Sequence, residues 1–239
     1  MEENRNNDLE EVVHFLRSEQ GCPWDRAQTF ESLRICMLEE AYEYLAAVRI
    51  YEQTKNAENM REELGDLLLQ VVMNSVIAQE MGLFDLHQVE KEICEKMIRR
   101  HPHIFSGQSE GNDDGSQKSW DEIKKQEKEG KEWIASPLRE IPAQHPALIR
   151  APKVLKKVDK LYEPCQNESG TLAEMEKTLL KLKAAKEDDR EEILGDLLME
   201  ICNLARLWKL PLELTMQDRI EELIERYEPI NGQIDEISR

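Results

Sequence analysis

The sequence is short of almost everything a turn-rich β fold requires. It has 10 Gly, 9 Pro and 5% aromatic residues in 239 positions, too few for the many tight turns and packed sheets of a sandwich or barrel. Its most apolar stretch runs only from Leu67 to Met73, far below the roughly 20 residues that a membrane helix needs. The opening segment MEENRNNDLEEVV has no basic region followed by an apolar one, so no secretory signal is expected there. The five cysteines (Cys22, Cys36, Cys94, Cys165, Cys202) include no CxxC pair. An odd count without metal-ligand spacing suits a reducing cytoplasm, and Cys36, Cys94 and Cys202 are expected as small core residues. Basic charge is scarce as well: Lys+Arg 32 against Asp+Glu 50 leaves a net charge of −18, which disfavours a general nucleic-acid binder. Neither a Walker A loop nor GxGxxG is present.

What remains is a helical chain. Hydrophobic residues make up 40% and charged residues 34%, a composition neither disordered nor membrane-embedded. The length allows one large domain or two small ones. Apolar spacing predicts helices over about 8–19, 28–53 and 58–81. A further helix starts after Asp85, a plausible N-cap, and ends before Pro102. Residues 106–118 read as a polar loop and 119–132 as a short helix around Trp120 and Ile123. Pro137, Pro142, Pro146 and Pro152 mark a junction. Helices are then expected at about 153–161, 171–187, 190–209 and 213–227. Leu64-Gly65-Asp66-Leu67-Leu68 recurs as Leu194-Gly195-Asp196-Leu197-Leu198, which suggests an internal duplication. The expectation is all-α, as two tandem helical-bundle repeats over 1–136 and 137–239.

Charge placement is the functional signal. Glu39, Glu40 and Glu43 form E-E-x-x-E, and at about 100° per residue they share one arc of a helix. Within Leu33–Ile50 the only other charges are Arg34 and Arg49. Cys36, Ala47 and Ile50 lie on the carboxylate arc. A helix apolar nearly all round is expected to be buried. Glu63 and Asp66 share a side of the next helix, continued by Gln70, Met73 and Ile77. Gly65 costs about 1 kcal/mol there relative to Ala, which a close approach by another backbone or a ligand would explain. Packed antiparallel across a short connection, the two helices would bring up to five carboxylates together. Like charges that close resist joint ionisation, so either some protonate or a cation neutralises them. Oxygen ligands without His or Cys select a hard ion, Mg²⁺ or Mn²⁺. The bland alternative is a set of ordinary surface acids in an acidic protein.

Lys96, Arg99 and Arg100 point broadly one way at the end of the following helix. The macrodipole alone favours cations there. Beside a carboxylate-held metal, however, they are what a polyphosphate needs. His101 and His103 flank Pro102 and read as a structural turn rather than catalysts. Glu11–His14 is the only ExxH, whereas a di-iron bundle wants two. Trp24 and Trp120 could each stack on a base or pack locally.

G-C-P-W-D-x-x-Q-T (Gly21 to Thr29), L-E-E-A-Y-E (Leu38 to Glu43), E-L-G-D-L-L (Glu63 to Leu68) and K-x-x-R-R-H-P-H-x-F (Lys96 to Phe105) together resemble the MazG nucleoside triphosphate pyrophosphohydrolases. The second half, including Ile141 to Ala151, resembles the second repeat of two-repeat members more faintly. The resemblance implies an all-α homodimer that hydrolyses NTPs or dNTPs with Mg²⁺ between the α and β phosphates. It also implies a role in nucleotide-pool house-cleaning. Glu40, Glu43, Glu63 and Asp66 would hold the metal, and Glu39 would support them or orient the attacking water. Lys96, Arg99 and Arg100 would grip phosphate, and Trp120 would sit near the nucleotide.

The second half departs from that pattern. Ile193 stands three residues before Asp196 where the motif needs Glu, and Glu174 and Glu176 do not make E-E-x-x-E. Leu223-Ile224-Glu225-Arg226-Tyr227 replaces K-x-x-R-R. This half is therefore expected to be a scaffold without a working site. The competing expectation is that the whole chain is a metal- or nucleotide-binding module without turnover.

Overall fold

The computed structural model of the protein describes residues 8–105, 127 and 136–228. The loop expected over 106–118, the helix expected over 119–132 with Trp120, and the His103 side chain lie outside the described residues. Among those described there is no strand. The chain divides into two compact units, Met1–Lys128 and Glu129–Arg239.

In the first unit, α1 (Leu9–Arg17) starts at Asp8, whose carboxylate accepts from the Glu10 N–H at 3.0 Å. Its Val13 is fully buried. A single turn, α2 (Pro23–Arg26), begins with Pro at its first position, where a missing N–H costs nothing. The next helix, α3 (Leu33–Thr54), starts later than its apolar pattern suggests. The reason is a knot of side-chain bonds ahead of it. The Thr29 N–H donates to Ser32 Oγ and the Ser32 N–H donates to Thr29 Oγ1, an alternative to helix that short hydroxyl side chains offer the backbone. Lys55, with φ of 59°, closes α3. Only three residues then separate it from α4 (Glu58–Glu80), so the two helices pack back on each other as an antiparallel hairpin. Asp85 caps α5 (Leu86–Arg100) in a reciprocal box with Gln88, and one short turn, α6 (Pro102–Phe105), follows.

The core of this unit is built on the C-terminal part of α4. Val72, Met73, Val76 and Ile77 pack with Val13 and Leu33, and Leu9, Phe30, Cys36, Leu69 and Leu86 lean on them. Each such side chain, fully buried, stabilises by about 1.5–3 kcal/mol. Arg17 fastens three segments from inside. Its guanidinium donates to the Glu80 carboxylate at 2.9 and 2.6 Å, to the Asp25 carbonyl at 2.6 Å and to the Gln28 carbonyl at 3.3 Å.

The second unit repeats the hairpin idea. Its helices are α7 (Ala147–Leu161), α8 (Glu168–Ala184), α9 (Arg190–Trp208) and α10 (Leu212–Tyr227), with a 3₁₀ turn at Glu187–Asp189 before α9. The long helix α9 packs on α8 and α7. The prolines around 146–152 do not keep the chain extended. Pro146 stands at the N-cap and Pro152 lies inside α7, where it removes one backbone bond without ending the helix.

Three local expectations are corrected. Cys94 is exposed, whereas Cys202 is buried and Cys36 packs against the core. In α3 only Leu33 and Ala47 are buried. The apolar character of that helix divides between a packed arc and an exposed stripe of Ile35, Leu38, Tyr42 and Leu45. At Gly65, a Cβ would meet nothing within 4 Å; nothing in the described chain explains that glycine.

Candidate metal and phosphate site

Glu40 and Glu43 project from the middle of α3, and Glu63 from the second turn of α4. The antiparallel hairpin brings one carboxylate oxygen from each within 4.8 Å of the other two. Among the described residues no other three His, Cys, Asp or Glu side chains gather in this way. Glu63 is 9% exposed and Glu40 is half-buried, while Glu43 and Glu39 lie towards solvent. The carboxylate arc of α3 also carries Cys36 and Ala47, which places the acids at the edge of the packed face.

Electrostatics bind the set more widely than the distances do. Burial pushes the Glu40 carboxyl above its ordinary value of 4.5, and the negative charges of Asp66, Glu43, Glu63 and Glu39 push it further in the same direction. The other four acids named from the sequence therefore all act on Glu40. Asp66 lies outside the tight trio, yet it is the strongest of the charge contributions. Four repelling neighbours around one partly buried acid are what a divalent cation relieves. The donors are all hard oxygens, which fits Mg²⁺ or Mn²⁺ in character.

Two neighbouring polar groups escape the motif spacing. Asn59, one turn before Glu63, donates its Nδ2 to Glu63 Oε1 at 2.7 Å; its position four residues ahead was the available signal. Gln70, one turn beyond Asp66 on the same stripe, is buried, and its Oε1 has no partner.

The basic set gathers around a carboxylate of its own. Arg99 donates Nε and Nη2 to Glu127 Oε1 at 3.2 and 2.9 Å. Arg100 approaches through Nε at 3.2 Å from Oε1 and 3.1 Å from Oε2, and through Nη2 to Oε2. Led by the Arg100 hydrogen bonds, these contacts hold the Glu127 carboxyl down at about 2. Lys96 is half-buried one turn earlier. His101 Nδ1 sits 2.7 Å from the Met97 carbonyl, a helix-end contact that agrees with a turn. Trp24, within α2, is 64% exposed.

In the second unit Asp196 and Glu192 are both exposed, and Ile193 is half-buried between them in sequence.

Residues 28–105 match the sequence model of the MazG nucleotide pyrophosphohydrolase domain. Over 229 residues the chain is 38% identical to the nucleoside triphosphate pyrophosphohydrolase/pyrophosphatase MazG of Thermotoga maritima, covering 95% of this chain and 86% of that one. The chain belongs to the MazG family. A second MazG-type relative, the nucleoside triphosphate pyrophosphohydrolase of Escherichia coli K12, is 34% identical over 236 residues, with 92% and 84% covered. A third, the enzyme of that name from Mycolicibacterium smegmatis, is 38% identical over 146 residues. The matched MazG domain contains all five acids and the Lys96–Arg100 cluster, and the whole of it lies in the first unit.

Proposed function

We propose that this MazG protein hydrolyses nucleoside triphosphates, ribo- or deoxyribo-, to the monophosphate and pyrophosphate. The observation that carries the reading is the convergence of Glu40, Glu43 and Glu63 within 4.8 Å, on a hairpin inside the matched domain. Glu40, Glu43, Glu63 and Asp66 are the residues that would hold a divalent cation, Mg²⁺ or Mn²⁺. When bound, such a cation supplies charge neutralisation and Lewis acidity at the phosphate oxygens.

The protein's own groups do the rest. Asn59 fixes one oxygen of Glu63 and so limits how that carboxylate can turn. Glu39, at the exposed border of the set, orients the attacking water and takes its proton. Lys96, Arg99 and Arg100 hold the phosphates in line and neutralise the departing pyrophosphate. Trp120 offers a face for the base. Nothing in this set reads a base edge, so broad nucleotide tolerance follows, in keeping with removal of surplus or aberrant nucleotides.

The active form is read as a homodimer. Ile35, Leu38, Tyr42 and Leu45 on α3 form an exposed apolar stripe, and Leu64, Leu68 and Val71 form another on α4; a second copy would cover both. No described helix is long and apolar enough to cross a membrane; the proposal places the activity in the cytoplasm, which an odd set of cysteines without metal-ligand spacing suits.

The test is an assay of mixed NTPs and dNTPs with Mg²⁺, resolving products by ion-exchange chromatography. Equal amounts of monophosphate and pyrophosphate, lost on chelation, are expected. Release of diphosphate and inorganic phosphate would assign a different cleavage. Binding without any product would leave a nucleotide-binding module.

A further inference from the structure

The carboxylate between Arg99 and Arg100 has no place in the acidic set, and its sequence neighbourhood gave no hint of it. Glu127 lies 27 residues beyond Arg100, yet its side chain is only 10% exposed. Both of its oxygens accept from guanidinium groups. Two adjacent arginines on one helix end repel each other, and each has several rotatable bonds. Left alone they would spread apart into solvent. One carboxylate shared between them removes the repulsion and fixes both planes.

The edges used are informative. Glu127 takes Nε and Nη2 of Arg99 and Nε and Nη2 of Arg100. A guanidinium is planar with donors on more than one edge. Engaging the Nε–Nη2 edge turns Nη1 to the opposite side, away from the carboxylate. Both guanidinium groups are thus held in a set orientation by one carboxylate.

We infer that Glu127 is a positioning residue for the phosphate clamp, holding the Arg99 and Arg100 guanidinium groups together in the orientation that receives the triphosphate. This rests on the reading above that these arginines bind phosphate. The carboxylate stays ionised throughout the working range of pH, since the arginines hold it at about 2. The arrangement is therefore a fixed support.

The experiment compares full-length Glu127→Gln, Glu127→Asp and Arg100→Ala with the parent. Thermal melting and circular dichroism confirm folding, steady-state kinetics give kcat and KM, and calorimetry follows inorganic pyrophosphate binding. For Glu127→Gln, which keeps shape and loses charge, KM for nucleotide and Kd for pyrophosphate should both rise roughly five- to twentyfold. These follow from lost orientation of charged hydrogen bonds. The value of kcat should change less than about threefold, and Glu127→Asp should recover part of the loss. If Glu127→Gln does not fold, the same comparison is read on Glu127→Asp, with a smaller rise expected. Parent-like KM and Kd in a folded variant would overturn the inference. So would tighter pyrophosphate binding, which would make Glu127 a competitor of phosphate. Should Arg100→Ala itself bind pyrophosphate and nucleotide like the parent, the clamp reading fails, whatever Glu127 does. An Arg100→Ala defect beside an unaffected Glu127→Gln removes the present inference alone.

Discussion

The α3–α4 hairpin and the α8–α9 hairpin share a five-residue sequence and treat their polar groups in opposite ways. In α3–α4, carboxylates from both helices crowd together, and burial, with the neighbouring charges acting the same way, pushes the Glu40 carboxyl up. In α8–α9, most of the buried polar groups bond to one another, with Glu200 Oε2 the exception: it is buried without a partner. Thr178 donates to Glu200 Oε1 at 2.8 Å, and Asn203 donates to Thr171 Oγ1 at 2.8 Å and to the Gln166 carbonyl at 3.0 Å. Arg206 then ties Asn203 to Asp159. Polar groups bonded mostly to one another leave little for a ligand to complete. A cluster of repelling acids is relieved either by protonation or by a cation. This contrast supports the proposal that the working site lies in the first unit and that the second is a scaffold.

The paired aspartates test that contrast with the largest effect. Asp66→Asn or Glu40→Gln removes one anionic oxygen donor with little change of shape. Turnover should fall at least 100-fold at ordinary Mg²⁺ while helicity is kept. Asp196→Asn, in the same Leu-Gly-Asp-Leu-Leu setting but exposed and without a Glu three residues before it, should stay within about threefold of the parent, below about 1 kcal/mol in barrier. A loss confined to Asp196→Asn would move the site to the second unit.

Next in size is the basic cluster. Lys96→Ala and Arg100→Ala each remove a charged hydrogen bond worth about 1.5–3 kcal/mol, so kcat/KM should drop tenfold or more. Arg226, which stands in the corresponding helix of the second unit, should be replaceable by Ala with little effect. Equal, small losses in all three variants would erase the distinction.

The comparison also separates what the sequence reveals from what it hides. Elements with strong local signals are legible: Asp85 is the N-cap its position suggests, and the structure adds a reciprocal bond from Gln88, while E-E-x-x-E and E-x-x-D fall on packed helices. Three features, however, depend on partners remote in the chain. Glu127 sits in a Lys- and Glu-rich stretch where one acid looks like another, and only the fold selects it. The exposed stripe of α3 is apolar like a core, and periodicity cannot tell an internal neighbour from an external one. Pro152 read as a breaker because local propensity was weighed without the packing of α7 on α9. Asn59 was within reach, since a polar side chain one turn before a buried Glu is a standing hint of support.

Stability without metal gives a smaller readout. Glu40 has its carboxyl raised in the fold, so the folded state holds its proton more tightly than the unfolded chain does. That acid therefore destabilises the metal-free protein as pH rises above about 4.5, its ordinary value. At neutral pH, Glu40→Gln should raise the melting temperature of chelated protein, and Mg²⁺ should raise that of the parent more than that of the variant. Asp196→Asn should do neither. Identical Mg²⁺ responses in parent and Glu40→Gln would argue that this carboxylate is not a ligand.

The smallest effect concerns the two arginines that fasten the units internally, Arg17 in the first and Arg206 in the second. Arg17 is 5% exposed at its side chain and holds the Glu80 carboxylate. The hydrogen bond from Arg17 lowers the Glu80 carboxyl, with the guanidinium charge acting the same way. A depressed acid contributes stability that is present above its unfolded value and lost as pH falls through its folded one. Glu80 is 43% exposed, so water screens much of the pair and its contribution is under about 1 kcal/mol. In an acid titration of thermal stability from pH 7 to 3, Glu80→Gln should start slightly below the parent and converge with it below about pH 4. Arg17→Met should lose more, since the Asp25 and Gln28 carbonyls lose their donor too, and that part should not vanish in acid. If Glu80→Gln runs parallel to the parent down to pH 3, the carboxylate is a bystander, and Arg17 acts through the two backbone carbonyls alone, which fasten α2 and the segment after it to α1.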